Sequence, residues 1–396
     1  MDKYSTAVDL ARDITPSSPV FCLRPHAATA AARWFVEHFP GKSFYAVKAN
    51  PSPWLIEALV EGGIRHFDVA SIAEVRLIRD VFPDGTLAFM HPVKAPEAIT
   101  EAYFEHGVRI FSLDSERELE KIMKSTGYAG DLTLCVRMAV SSALSKISLA
   151  SKFGVNEEVD GELLQKTRQV AERLGVCFHV GSQSMSPTAY AAAMQRTQRA
   201  IVKAGVVVDV LDVGGGFPSA YPGMEAPALQ TYVNEIATRF EQYLVAENCE
   251  LWCEPGRALS AESASLIVRV ESRKDGVLYI NDGTYGALFD AGTLNWTYPM
   301  ECLTDGRSAK LAAFEFYGPT CDDHDHMKGP YYLPEDIEEG DHIEIGMLGA
   351  YGSAMRTGFN GFGAYQEIEV ADAPMLTMYG AELPHAANDM TGEMTQ

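Results

Sequence analysis

Short apolar runs alternate with longer amphipathic stretches from about Ala27 to Arg257. Short runs enriched in β-branched and aromatic residues are typical of buried strands, whereas longer amphipathic stretches are typical of helices. Their alternation predicts βα units on a parallel sheet. The eight predicted strands are Ser43–Lys48, His66–Val69, Leu87–Met90, Val108–Ser112, Leu132–Met138, Val176–Val180, Val207–Val213 and Leu251–Glu254.

Amphipathic stretches between these strands are long enough for crossover helices. They include Ile72–Val81, Ser115–Met123, Glu162–Leu174, Ala189–Val202 and Leu229–Leu244. Eight βα units in roughly 230 residues match the size of a (β/α)8 barrel. A doubly wound open sheet is the alternative, but it usually has fewer strands and a glycine-rich fingerprint after the first strand, and none follows Lys48.

Beyond Arg257 the pattern changes to strands joined by turns, with weak helical periodicity. The predicted strands there are Ser265–Glu271, Gly276–Ile280, Ala312–Phe316, His342–Ile345 and Tyr365–Val370. This pattern predicts a separate β-rich domain. Near the N-terminus, Val20–Leu23 is a predicted strand that could pair into either domain, and the polar tail from Ala387 is expected to be mobile.

Composition places the chain among folded globular proteins, because 47% of its residues are hydrophobic and 22% are charged. The net charge of −22 repels phosphate backbones and anionic lipids, so we expect neither nucleic-acid nor membrane partners. Acidity for solubility alone and steering of a cationic ligand fit this charge equally well. Seven scattered cysteines without a CxxC pair, and no export signal or long apolar run, predict a reduced, cytoplasmic protein.

Polar residues interrupt the apolar pattern where the predicted barrel strands end. Barrel active sites are built at that face. The interrupting residues are Lys48, Asp68, Arg137, His179, Gly214-Gly215-Gly216 and Glu254-Pro255-Gly256-Arg257, with Ser182 close behind His179. Their clustering, more than any single residue, predicts a site at the C-terminal mouth of the barrel.

Lys48 ends the apolar run from Phe44 to Val47. A lysine in that position commonly extends its ammonium group to solvent. Inside a barrel mouth, however, desolvation disfavours the charged form and lowers the lysine pKa, which leaves an amine able to condense with an aldehyde. Lys48 is therefore a candidate for an imine with a carbonyl cofactor.

The glycine run Gly214–Gly216 follows a predicted strand, where backbone N–H groups could approach a phosphate; a tight βα turn explains it as well. With Ser182 and Arg257, it would make a phosphate cradle where barrels often hold phosphate. Glu254 is either an ion-pair partner of Arg257 or the carboxylate that holds a protonated ring nitrogen. An imine-forming lysine, a phosphate cradle and such a carboxylate are what pyridoxal phosphate (PLP) requires.

These motifs resemble those of the alanine-racemase-fold (fold type III) PLP-dependent decarboxylases of basic amino acids, the group of ornithine, lysine and diaminopimelate decarboxylases. The resemblance covers nearly the whole chain, and the motifs follow the family's order. They are Phe44-Tyr45-Ala46-Val47-Lys48-Ala49-Asn50, Phe67-Asp68-Val69-Ala70-Ser71, His179-Val180-Gly181-Ser182-Gln183, Asp212-Val213-Gly214-Gly215-Gly216-Phe217-Pro218, Glu254-Pro255-Gly256-Arg257, Gly318-Pro319-Thr320-Cys321-Asp322, Gly349-Ala350-Tyr351 and Phe359-Asn360-Gly361-Phe362.

The resemblance implies a PLP-binding (β/α)8 barrel over residues 27–258, and a β-barrel-like domain made of residues 1–26 and 259–396. It also implies a head-to-tail homodimer whose active sites lie between the subunits. It implies Lys48 as the imine-forming lysine, His179 as the ring stacked on PLP and Glu254 as the partner of the pyridine nitrogen. The implied phosphate holders and supporting residues are Ser182, Gly214, Gly215, Gly216, Gly256, Arg257 and Tyr351, with Asp68 and Arg137 beside the imine.

In the β domain, the resemblance implies that Cys321 enters the other subunit's site and protonates the substrate carbon after CO2 leaves. A lone cysteine is otherwise most often a small buried hydrophobe. Asp322 corresponds to the aspartate that meets the distal amine, and Tyr285 and Phe359 are expected beside the substrate. The implied reaction is decarboxylation of L-ornithine to putrescine, or of L-lysine to cadaverine, in polyamine biosynthesis.

Acidic residues bear on the choice of substrate. Asp322 and Asp325 favour a distal ammonium, whereas diaminopimelate decarboxylases usually carry Cys-Glu and basic residues for a second carboxylate. Many ornithine decarboxylases have an acid about nine positions beyond the tyrosine equivalent to Tyr285, but here that position is Leu294. Asp290 either substitutes for this acid at the substrate or has a surface or helix-capping role.

Three other functions fit parts of the sequence. A diaminopimelate decarboxylase of lysine synthesis is the main alternative, and Gln183 is closer to the pattern of those enzymes. Alanine racemase fits less well, because Cys321-Asp322 and Glu254 are typical of decarboxylases. A catalytically inactive regulatory homologue is disfavoured by the presence of Lys48, together with the other catalytic motif residues.

Overall fold

The structure is a computed structural model that describes residues 3–148, 151–243 and 249–379. Its N-terminal segment forms strand β1 (Lys3–Tyr4), helix α1 (Ala7–Ile14) and strand β2 (Val20–Leu23) before the chain enters a barrel. Within these ranges, no helix is both long and apolar enough to cross a bilayer. The tail from Ala387 lies outside the described residues.

Eight parallel strands close into the barrel, which confirms the predicted fold class. Each strand pairs with its neighbours in the parallel register of repeated βα units. The barrel strands are β3 (Lys42–Ala46), β4 (His66–Val69), β5 (Thr86–Phe89), β6 (Ile110–Leu113), β7 (Thr133–Arg137), β9 (Arg173–Cys177), β11 (Val210–Asp212) and β12 (Glu250–Cys253). The short strands β8 (Ser145–Ile147) and β10 (Ser182–Ser184) pair antiparallel outside the barrel.

Alternate residues along the barrel strands pack on opposite sides of the barrel wall, as the two-residue period of a strand requires. In β3, Phe44 belongs to a small buried cluster with residues from other barrel strands, including Trp252, whose ring lies 4.7 Å away. Tyr45 belongs instead to the large cluster shared with the helices. At the N-terminal end, Lys42 Nζ lies 2.6 Å from Glu250 Oε2. Side chains thus fill the interior of the barrel between its described strands.

Helices surround the barrel. They are α2 (Pro25–His38), α3 (Pro53–Glu61), α4 (Ile72–Val81), α5 (Pro96–Phe104), α6 (Glu116–Ser125), α7 (Asp160–Val170), α8 (Thr188–Ala204), α9 (Leu229–Glu241) and α10 (Arg257–Ser260). Several of these helices begin at residues that suit a helix N-terminus. Helices α2, α3 and α5 start on a proline, and the hydroxyl groups of Ser71 and Ser115 accept backbone hydrogen bonds at α4 and α6.

The described residues that follow α10 are mostly sheet. Their elements are β13 (Ala264–Lys274), β14 (Val277–Ile280), α11 (Phe289–Leu294), β15 (Met300–Cys302), β16 (Leu311–Tyr317), β17 (His326–Pro334), β18 (His342–Ile345) and β19 (Gln366–Val370). Strand β2 lies between β13 and β19, so the N-terminal strand belongs to this sheet. The division of the chain at residues 27–258 stays a prediction.

The structure differs from the sequence prediction at the end of α7 and at strand β17. Helix α7 ends at Val170 instead of continuing to Leu174, because Arg173 and Leu174 pair with β7 as part of the sixth barrel strand. A side chain at Gly175 would place its Cβ 2.4 Å from Cys135 Sγ, so the glycine makes room inside the barrel. Strand β17 was not predicted, because Gly329 and two prolines interrupt its sequence.

Candidate active site

A cavity of about 390 Å³ opens at the C-terminal ends of the barrel strands. The structure brings together there five of the residues that the sequence singled out: Lys48, Asp68, Arg137, His179 and Glu254. They come from different strand ends, so only closure of the barrel makes them neighbours.

Lys48 lies just beyond β3, in a short 3-10 turn from Val47 to Ala49. Its Nζ atom is 3.4 Å from Asp68 Oδ2, and its side chain is 41% exposed to the open cavity. The carboxylate of Asp68 raises the pKa of Lys48 and outweighs the opposing effect of burial. The expectation of a lowered pKa was therefore wrong: the apolar run leads to a lysine that meets a carboxylate, and an ammonium is stabilised there.

Glu254 follows β12 and is only 7% exposed. Its Oε1 atom is buried and has no hydrogen-bond partner among the described residues. Burial, and then the nearby carboxylates of Asp212 and Asp68, raise the pKa of Glu254 well above its ordinary value. The alternative of a Glu254–Arg257 ion pair is wrong, because the Arg257 guanidinium pairs with Asp290 instead. Glu254 is thus a buried carboxyl group that lacks a cationic partner at Oε1.

His179 lies at the same mouth, two residues beyond β9. Burial, and then the positive charges of Lys48 and Arg137, lower its pKa well below the ordinary value. Its Nδ1 atom accepts a hydrogen bond from the Gly181 backbone at 3.0 Å. A neutral ring with Nδ1 as acceptor carries its proton on Nε2, so His179 presents an uncharged aromatic face.

The glycine run Gly214–Gly216 lies close to Glu254 and His179. A side chain at Gly215 would place its Cβ 2.7 Å from the Glu254 carbonyl oxygen and 3.0 Å from His179 Nε2. Gly214 and Gly216 have positive φ angles of 68° and 102°, which favour glycine. The turn therefore requires glycine for its own geometry and for its close packing against neighbouring backbone. Ser182, at the start of β10, is two residues from Ser184, whose backbone N–H binds the Gly216 carbonyl oxygen.

Arg257 is buried at the start of α10. Its guanidinium lies 3.1 Å from Asp290 Oδ2, 3.1 Å from the Tyr221 hydroxyl and 4.8 Å from the centre of the Tyr351 ring. Its Nε atom is buried without a partner among the described residues. The surface alternative for Asp290 was wrong, since the residue is buried and its carboxylate is engaged by Arg257. Gly256 packs closely against Ala46 and Ala49.

A second group of predicted residues gathers in the β domain. The Tyr285 hydroxyl donates to Asp322 Oδ2 at 2.5 Å, and the Tyr285 and Phe359 rings lie 5.0 Å apart. Cys321 is exposed, and its backbone N–H donates to Asn360 Oδ1 at 3.0 Å. Cys321 and Asp322 line a groove of about 860 Å³. The described linings of this groove and of the Lys48 cavity have no residue in common.

Two further residues that bear on the choice of substrate, Asp325 and Gln183, are buried in the structure. Asp325 is 1% exposed and accepts hydrogen bonds from the backbone N–H groups of Thr284 and Thr320 at 2.7 and 3.0 Å, so it shapes the loop and is not open to a ligand. Gln183 is also buried, and its amide binds the Ser219 backbone.

Sequence reasoning missed several residues at the mouth. Asp212 ends β11 and its carboxylate accepts the Gly214 N–H at 2.8 Å, and His91 lines the cavity just beyond β5. Both follow the same rule that identified Asp68, a polar residue where a barrel strand ends. Phe153, 5.1 Å from the His91 ring, comes from a loop, and no strand pattern points to it.

The residues present fit PLP. A buried carboxyl oxygen without a partner suits a protonated ring nitrogen. The neutral His179 ring offers a flat surface, and Lys48 offers an amine. These groups at the C-terminal mouth of a barrel are typical of barrel enzymes that use PLP.

Comparison with known proteins specifies the class. The family model described as pyridoxal-dependent decarboxylase, pyridoxal binding domain, matches residues 26–261. The chain belongs to this family, and the predicted family and cofactor are confirmed.

Three similar proteins illustrate the range of the family. The chain is 32% identical over 343 residues to a lysine/ornithine decarboxylase of Selenomonas ruminantium, with 84% of each chain covered. It is 31% identical over 353 residues to antizyme inhibitor 2 of Xenopus laevis, covering 81% of this chain and 74% of that protein. The crystal structure of the Paramecium bursaria Chlorella virus arginine decarboxylase bound to agmatine superimposes with a TM-score of 0.82 at 26% identity, covering 91% and 98%.

Proposed function

We propose that this protein decarboxylates a basic L-amino acid, with L-ornithine to putrescine as the first candidate and L-lysine to cadaverine as the second. The observation that carries this proposal is the Asp322 carboxylate, oriented by Tyr285 directly beside the exposed Cys321. A carboxylate suits a distal ammonium, and an adjacent thiol can supply a proton. Lysine and ornithine are the substrates in the name of a 32% identical relative.

We also propose that the active enzyme is a homodimer with shared sites. Cys321 and Asp322 line one cavity, and Lys48 and Glu254 line another. Each chain thus carries two incomplete halves, and a two-fold pair of chains can join the halves of opposite subunits. A cytoplasmic location and a role in polyamine synthesis remain predictions.

When bound, PLP withdraws the electron pair left on the substrate carbon as CO2 departs. In the barrel, the Glu254 carboxylate would hold a proton on the pyridine nitrogen, and that cation would offset the crowding of Glu254 by Asp212 and Asp68. His179 would support the ring by its uncharged face. The backbone N–H groups of the glycine run other than that of Gly214, which donates to Asp212, would bind the phosphate. Lys48 Nζ, oriented by Asp68, would hold the carbonyl carbon.

In the β domain, Cys321 Sγ would return a proton to the substrate carbon once CO2 has left, which directs the reaction toward a diamine. Asp322 would receive the distal ammonium. The Phe359 ring, which lies 5.0 Å from the Tyr285 ring, would cover the methylene chain and exclude water.

Two alternatives lead to different expectations. A diaminopimelate substrate would bring a second carboxylate toward Asp322, and like charges repel there. A regulatory protein has a precedent in the antizyme inhibitor relative. This chain, however, combines Lys48, Glu254 and Cys321 with a cavity open to a ligand.

Replacing Asp322 by asparagine tests the substrate. We expect Asp322→Asn to raise KM for ornithine and lysine about ten- to a hundredfold, because a charge-assisted hydrogen bond to the distal amine is lost. Steady-state assays with ornithine, lysine, arginine, 2,4-diaminobutyrate and meso-diaminopimelate measure this. Asp323→Asn is the matched control, because Asp323 lines the same groove one residue away. Turnover of meso-diaminopimelate alone would contradict the proposal.

Mixing two inactive variants tests the shared site. We expect Lys48→Ala and Cys321→Ala homodimers to be impaired separately. After subunit exchange, mixed dimers would each contain one intact site, and activity would recover to about a quarter of the wild-type value. Mixing at concentrations where sedimentation shows dimers is the measurement. Recovery no greater than the sum of the separate variants, with mixed dimers shown to form, would contradict shared sites.

A further inference from the structure

The Asp322 carboxylate is already contacted by three donors within the chain. The Tyr285 hydroxyl donates to Oδ2 at 2.5 Å. The backbone N–H of His324 donates to Oδ1 at 3.0 Å, and His324 Nδ1 lies 2.9 Å from the same oxygen. A carboxylate offers about four acceptor positions, so a ligand ammonium must share this group with the His324 ring.

The 2.9 Å distance between His324 Nδ1 and Asp322 Oδ1 indicates which ring nitrogen of His324 carries a proton. Hydrogen bonds from His324 and Tyr285 lower the pKa of Asp322 to about 2, so the carboxylate is ionised and can only accept. His324 Nδ1 therefore carries a proton in this contact, whether the ring is neutral or cationic. The His324 side chain is 89% exposed.

We propose that His324 is a positioning residue that tunes recognition of the substrate's distal amine, because its protonated ring competes with that ammonium for the Asp322 carboxylate. The inference rests on the proposed role of Asp322. A neutral His324 orients the carboxylate through one hydrogen bond and leaves its charge for the ligand. A cationic His324 neutralises that charge, so affinity for a diamine falls as pH decreases.

Two further carboxylates and a phenol lie near His324. Asp323 adjoins it in the chain, and Asp325 is buried and accepts hydrogen bonds from the backbone N–H groups of Thr284 and Thr320. Tyr285 contacts Asp322 through a hydroxyl whose pKa is raised, first by the Asp322 hydrogen bond. Histidine is the side chain that ordinarily changes charge between about pH 5 and 8. His324 is the histidine in contact with Asp322 in the described structure.

Diamine binding to the holoenzyme tests this inference. Titration calorimetry with putrescine and cadaverine, at about pH 6 and about pH 8, excludes any contribution of a substrate carboxylate, because these ligands carry none. For the wild type we expect the dissociation constant to be about two- to fivefold larger at the lower pH, the range of an exposed ion pair. His324→Gln should remove that difference, and KM should follow the same trend with kcat unchanged.

His326→Gln is the matched control. His326 is two residues away, but its Nε2 atom lies 2.7 Å from Glu315 and it does not contact Asp322. This variant should keep the wild-type pH ratio. A His324→Gln enzyme that keeps the ratio as well would overturn the inference.

Asp322→Asn separates the two proposals. If Asp322→Asn binds diamines as tightly as the wild type, the proposed role of Asp322 fails. If Asp322→Asn weakens binding while His324→Gln keeps the wild-type pH ratio, only the role of His324 fails. Because the His324 side chain is exposed, its replacement leaves the fold intact, and unchanged thermal unfolding would verify this.

Discussion

Lys48→Ala is expected to abolish decarboxylation, with a loss of at least about a thousandfold. The amine lies 3.4 Å from Asp68 in the cavity, and the alanine side chain has no nucleophile to replace it. We also expect the variant to lose the long-wavelength absorbance of the covalently bound cofactor. Spectra of the purified protein with added PLP, together with rates of CO2 release, measure both effects.

Lys42→Ala is the matched control for that experiment. Lys42 starts the same strand at the opposite end of the barrel, where it pairs with Glu250 at 2.6 Å. Its loss should lower stability slightly and leave the spectrum unchanged. If Lys48→Ala retained the absorbance band and near-normal turnover, the proposed role of Lys48 would be wrong.

Glu254→Gln is expected to slow decarboxylation at least about a hundredfold while the protein stays folded. The amide has the shape of the carboxyl group but cannot hold a proton on a ring nitrogen as a carboxylate does. Stability should be kept, because the buried carboxyl group already has a strongly raised pKa and glutamine removes a group crowded by Asp212. Turnover and thermal unfolding are the two measurements.

Glu250→Gln provides the comparison, because Glu250 starts the strand that Glu254 follows and lies at the far end of the barrel. It should keep nearly full activity. A Glu254→Gln enzyme with activity within a few-fold of wild type would falsify the assignment of Glu254 to the ring nitrogen.

Much of the architecture follows from local pattern. A continuously apolar strand is stable only when both of its faces are covered. Eight such strands, separated by amphipathic helices, therefore predict a closed parallel barrel. The polar residues at the strand ends also identify the site, since one mouth of a parallel barrel collects the ends of all its strands. For the same reason Lys48, Asp68 and Glu254 could be grouped before their distances were known.

The boundaries of helices and strands were harder to predict from the sequence, because residues with the apolar spacing of a helix can pair in a strand instead. Leu174 continues the apolar spacing of α7, yet it pairs with β7 in the barrel. Charge states were also beyond the sequence. Lys48 has a raised pKa because Asp68 faces it, and Asp290 is engaged because Arg257 lies against it.

By itself, the sequence predicted the barrel and the cofactor, because these depend on residue types at strand ends that are ordered along one chain, and the resemblance of its motifs to known decarboxylases implied the reaction family. Only the tertiary structure decided which groups share a cavity and which partners they have. It separated Cys321 from Lys48, buried Asp325 and left an oxygen of Glu254 unpartnered. The physical reason is that charge, desolvation and hydrogen bonding depend on distances between residues far apart in sequence, and folding sets those distances.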